Sequence, residues 1–160
     1  MALSSLVEYL DKHHAKYLII THSSAFTAQG VAGITHISGK ELAKTVIVKV
    51  DGKLAMAVVP AMFHVDLEML KKAAHARAVL LASEDEFWDR FPECETGAMP
   101  PLGHLYGLPV YADESLARDR EIAFNAGTHR ELIRMSWADY RELAEPVVTR
   151  IVASRTPAAA

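Results

Sequence analysis

The chain has 160 residues, 51% apolar and 23% charged, the balance of an ordinary folded domain and not that of a disordered or collagen-like chain. A formal net charge of -3 argues against a protein that grips a long duplex through an overall positive field, so any RNA contact has to be local. The longest apolar stretch, Leu54 to Phe63, falls far short of the roughly 20 residues a membrane helix needs, and Met1 to Leu10 is broken by Glu8 where a secretion signal would continue, so a cytoplasmic protein without membrane partners is expected.

Leu3 to His14 sets Leu6, Val7 and Leu10 on one side and Glu8, Asp11 and Lys12 on another, the spacing of an amphipathic helix. Tyr17 to Thr21 is a short run of β-formers bounded by polar residues and reads as a strand. Thr27 is placed to cap a short helix through Val31, against which Gly30 and Gly33 argue, and Lys40 to Ala43 is expected to finish another helical turn. Val46 to Val50, Asp51-Gly52 and Leu54 to Val59 form the clearest local pattern, two β-rich runs joined by a dipeptide that tight hairpins favour. Asp66 is a predicted N-cap for a helix to His75, Val79 to Ala82 a short strand, and Ser83 the start of a helix with Glu84, Asp85 and Glu86 at its positive end.

Phe91 to Leu108 carries Pro92, Gly97, Pro100, Pro101, Gly103 and Gly107, too much punctuation for a regular element, and long ordered loops are often functional. Val110 to Ala112, Glu121 to Asn125 and Glu131 to Met135 read as strands, the last two joined at Ala126-Gly127-Thr128. Ser136 opens a helix with Trp137, Tyr140 and Leu143. The mixture lacks strict strand-helix alternation and contains hairpins, which predicts a single α+β domain over residues 1–152, with a mixed, largely antiparallel sheet, and a flexible tail over 153–160.

Familiar catalytic signatures are absent: the sequence has no G-x-S-x-G elbow, P-loop, dinucleotide fingerprint or H-E-x-x-H. The eight histidines show no ligand spacing, so neither a metal nor a cofactor is expected. Cys94 is an unpromising nucleophile, because Glu93 and Glu95 oppose thiolate formation.

Three segments remain. If Lys44 to Val50 is extended, Lys44 shares a face with Val46, Val48 and Val50, and this all-valine face should be the buried one. Such a lysine would lay its stem on apolar surface and hold an ammonium at the rim of a pocket, though the pattern alone favours a plain strand-end lysine reaching into water. Gly97-Ala98-Met99-Pro100-Pro101 is a loop that either presents fixed main-chain groups to a ligand or is simply a rigid surface turn. Asn125-Ala126-Gly127-Thr128-His129 is a turn that would hold an imidazole at a sheet end, for binding or proton transfer or merely in solvent.

Taken in order, these segments resemble the YbaK/EbsC family and the inserted editing domain of bacterial prolyl-tRNA synthetases. The resemblance runs from about Tyr17 to the helix after Ser136. It is carried by Ala43-Lys44-Thr45, Val59-Pro60 with the Asp66-Leu67 helix, Ala82-Ser83-Glu84, the Gly97-x-x-x-Pro101 loop and Gly127-Thr128-His129. It implies a curved mixed sheet surrounded by helices, and hydrolysis of mischarged aminoacyl-tRNA. It also implies that Lys44 is required for activity, that the Gly97–Pro101 loop shapes the amino-acid pocket, and that His129 helps bind substrate, with Gly127 in its turn.

An ester under attack by water develops charge on its carbonyl oxygen and needs a donor or cation there more than a covalent nucleophile. Lys44 suits that role or the anchoring of a terminal phosphate, loop carbonyls suit the substrate ammonium, and Phe26, Thr45 and Met99 are candidate pocket walls. The expected substrate is the 3′ end of a tRNA, tRNA-Pro included, carrying a small residue such as alanine or serine. A synthetase is a candidate partner and DNA is not. A non-catalytic binding module and a ligand-free interaction domain are the alternatives.

Overall fold

The computed structural model describes residues 3–21 and 41–153. The predicted helix Thr27 to Val31 and residues 154–160 of the predicted tail lie outside the described residues. Four helices are described: α1 (Ser4–Lys12), α2 (Leu67–Ala73), α3 (Glu84–Phe87) and α4 (Trp137–Ala144). Eight strands form one mixed sheet: β1 (Tyr17–Thr21), β2 (Leu42–Val50), β3 (Lys53–Pro60), β4 (Val79–Leu81), β5 (Val110–Asp113), β6 (Glu121–Asn125), β7 (Glu131–Ser136) and β8 (Val147–Thr149). The order is β1-β7-β6-β2-β3-β5-β8, with β4 also on β2. Four of the seven ladders are antiparallel; β2/β6, β3/β5 and β5/β8 are parallel.

Local chemistry accounts for most of these elements. Asp51 and Gly52 both adopt positive φ (49° and 82°), the backbone a two-residue hairpin needs to match strand twist. Asp66 caps α2 by accepting from the Met69 amide at 3.0 Å, and Ser136 caps α4 by accepting from Asp139 N–H at 3.1 Å. Ser83 differs: its hydroxyl donates to Glu86 Oε1 at 3.1 Å and caps no amide. The helix it opens is only four residues long.

Two expectations are corrected. Leu42 and Ala43 belong to β2 and not to a helical turn, because pairing with β3 and β6 on opposite edges satisfies their backbone; Lys40 lies outside the described residues. The valine face is not the sole buried face of β2. Val48 packs with Ala57, Val59 and Leu70 on one side, while Ala43 and Ile47 enter the main core with Met56, Val58 and Phe124 on the other. A central strand covered on both faces loses the alternation that a half-exposed strand shows. β8 and the 3-10 helix Glu114–Arg118 are additions to the predicted elements.

Candidate active site

The hydrogen-bonding edges of β2 locate the site. One edge pairs with β3 from Ala43 to Val50. The other carries two strands in succession, β6 at Leu42 and Ala43 and β4 from Val48 to Val50, extended to Ile47 by the bond from Ala82 N–H to Ile47 O at 3.0 Å. Residues 44 to 46 fall where β6 and β4 diverge, so the sheet is split beside Lys44.

Lys44 is half-buried at this split, and burial holds its ammonium below the ordinary lysine range. Among the described residues none forms a hydrogen bond or ion pair with it. By strand alternation it shares the face of Leu42, which packs with Ala61, Ala123 and Leu132. Thr45 faces the opposite way and is only 9% exposed. Its Oγ1 is buried without a hydrogen-bond partner, and so is Asn125 Oδ1. Buried polar atoms in native proteins are nearly always paired, so an orphaned Asn125 oxygen on the face of Lys44, a cation with no partner among the described residues, is the mark of a site that expects a ligand.

The Gly97–Pro101 loop and the turn after β6 are brought together directly. Glu95 N–H donates to Gly127 O at 2.8 Å and Gly127 N–H to Ala98 O at 3.0 Å. His129 N–H donates to Glu95 Oε1 at 3.1 Å, and its Nε2 lies 2.6 Å from Thr96 O. A carbonyl only accepts, so that nitrogen carries the proton. The imidazole also backs Gly97, where a Cβ would stand 3.6 Å from its Cε1; Gly97 itself has φ +82°. His129 therefore clasps the loop.

The loop is not a surface turn. Ala98, Met99, Pro100 and Pro101 are buried, and Met99 joins the main core. The buried Tyr140 hydroxyl donates to Pro101 O at 2.8 Å, a positioning contact that an aromatic on an amphipathic helix did not reveal in sequence. These bonds commit the carbonyls of Thr96, Ala98 and Pro101 and leave those of Gly97, Met99 and Pro100 without bonds among the described residues. Gly127 is fixed from the other side. Its φ is +91°, a Cβ there would lie 2.9 Å from Leu3 Cβ, and Leu3 N–H donates to Ala126 O at 2.9 Å, so the start of α1 buttresses the turn.

Ala43 and Phe124 form the last pair of the parallel ladder; Lys44 follows on β2 and Asn125 on β6, with Gly127 two residues later. Phe26 lies outside the described residues. Cys94 has a raised thiol pKa, but burial is the main cause; Tyr106 hydroxyl 3.5 Å away opposes the rise, and Glu93 adds a smaller charge effect. Glu95, expected to contribute, instead turns toward His129.

A cation, an orphaned acceptor and a stiff loop beside a split sheet suit a site that binds a polar substrate and stabilises developing negative charge. The family model described as an aminoacyl-tRNA editing domain matches residues 22–143. The Multifunctional Ser/Thr-tRNA deacylase ProXp-y of Escherichia coli (strain K12) is 30% identical over 146 residues, covering 88% of this chain and 87% of that protein; its counterpart from Escherichia coli O157:H7 matches equally. Among solved structures, a candidate trans-editing enzyme for prolyl tRNA synthetase aligns with TM-score 0.80 at 21% identity, over 93% of this chain and 95% of that one. A hypothetical protein aligns with TM-score 0.84 at 19% identity, over 93% and 99%. These two likenesses bear on the fold alone.

The chain belongs to the aminoacyl-tRNA editing domain family. It is a hydrolase of mischarged aminoacyl-tRNA, the class expected from its sequence. Among the described residues no helix is long and apolar enough to cross a membrane.

Proposed function

We propose that residues 1–152 act in the cytoplasm as a free-standing deacylase that removes serine or threonine from noncognate tRNA. The observation that carries this reading is the half-buried Lys44 ammonium at the split in the sheet, without a partner among the described residues. Low solvation strengthens its field on a nearby carbonyl oxygen, so it stabilises the oxyanion that forms as water attacks the ester. The open carbonyls of Gly97, Met99 and Pro100 receive the substrate ammonium, and Gly127 and His129 keep that loop in place. The loop bounds the pocket, and a synthetase is the proposed partner in selecting the tRNA.

The choice of amino acid rests on the similarity to a Ser/Thr-tRNA deacylase. A pocket separates side chains that differ by one methylene by only about 1–3 kcal/mol, which is why a second, hydrolytic sieve serves synthetases that confuse small residues. The test is a deacylation panel of seryl-, threonyl- and alanyl-tRNAs, noncognate pairs included, with the wild type and Lys44→Ala. Release of serine and threonine by the wild type, abolished in Lys44→Ala, is expected. Binding of charged tRNA without release would favour a non-catalytic module, and full activity in Lys44→Ala would remove the mechanism.

A further inference from the structure

We propose that Asn125 is a specificity-determining residue, its side-chain carbonyl accepting a hydrogen bond from the hydroxyl of serine or threonine carried on the tRNA. Asn125 ends β6 at the point where β6 leaves β2, one residue past the ladder's last pair, Ala43 and Phe124, as Lys44 is on β2. Alternation gives it the face of Ala123, which packs against Leu42, and Lys44 stands on that face of β2 as well. Its Oδ1 is buried and has no partner. An apolar side chain of the same shape would leave nothing unsatisfied there, so the fold alone does not explain an asparagine at this position.

Oδ1 only accepts, so the ligand must bring a donor. An aminoacyl ester has two on its amino-acid part, the α-ammonium and, in serine or threonine, the side-chain hydroxyl. Lys44, the first residue of β2 past that ladder, repels the ammonium and leaves the neutral hydroxyl as the better occupant. Alanine supplies no donor and would leave Oδ1 covered and unpaired, which is the situation in which a buried polar group discriminates strongly between substrates.

This inference rests on the deacylase reading and specifies its selectivity. The experiment measures kcat/KM for seryl-, threonyl- and alanyl-tRNA with the wild type, Asn125→Leu and Asn125→Ala. The readout is the ratio of hydroxylated to alanyl substrate within each preparation, which does not depend on the folded fraction. The ratio is expected to fall by roughly ten- to a hundredfold in both variants, whereas Lys44→Ala lowers all three substrates together. An unchanged ratio, with all substrates losing equally in the Asn125 variants, overturns the assignment and points to the ribose hydroxyl or to packing. A wild type that releases no amino acid from any of the three overturns the deacylase reading itself.

Discussion

Replacing His129 by alanine separates a clasp from a group that touches substrate. Four hydrogen bonds join the loop to the turn, and three involve only backbone groups or the Glu95 carboxylate. The substitution removes the fourth, from Nε2–H to Thr96 O at 2.6 Å, together with the ring that backs Gly97. One such bond is worth about 1 kcal/mol net, equivalent to roughly 2–4 °C in Tm for a domain of this size. The kinetic effect should be larger, because a loop displaced by about 1 Å can cost up to ~100-fold in rate. His129→Gln places an amide donor near the position of Nε2 and should recover most of kcat/KM. Deacylation kinetics and thermal melts on wild type, His129→Ala and His129→Gln make the comparison. A glutamine variant that regains its Tm but stays as slow as the alanine variant would refute the clasp and assign the imidazole to the substrate.

Lys44 makes a linked pair of predictions about pH and stability. Burial lowers its pKa below the ordinary 10.5, so between the folded and unfolded values the unfolded chain binds more protons and stability rises with pH, while below the folded value the full penalty persists. Lys44→Met should therefore match or exceed the wild type in Tm at neutral pH while losing deacylation, and the wild-type enzymatic rate, corrected for spontaneous hydrolysis, should decline at a pH below 10.5. Gly127→Ala forces a side chain into φ +91° and toward Leu3, costing about 2–4 kcal/mol from strain and overpacking, which a denaturant midpoint measures. Tyr140→Phe leaves Pro101 O without its donor and should cost about 1–2 kcal/mol, with a fall in kcat/KM exceeding that in the folded fraction.

Local pattern made much of the fold legible. The hairpin at Asp51-Gly52 could be read because its turn demands particular backbone angles, and α2 because Asp66 caps it and its apolar spacing is helical. β8 was hidden in three residues, Val147 to Thr149, that carry no alternation of their own and become a strand by pairing with β5. The two-sided burial of β2 was hidden for a related reason: Ile47 and Val48 look alike in sequence, and which face is covered depends on what packs there.

The candidate site divides in the same way. Residue type and order were enough to single out Lys44, the Gly97–Pro101 loop and His129, because a lysine at a strand end, a glycine-proline loop and a turn histidine each have a chemistry that short-range sequence can carry. That the histidine clasps the loop, that Tyr140 supports it from a distant helix, and that Asn125 is left with an unpaired oxygen depended on contacts between segments far apart in the chain. Sequence specifies which groups can donate, accept or carry charge; only the assembled sheet, by bringing β6 alongside β2 and then letting it diverge, decides which of them lose water without gaining a partner.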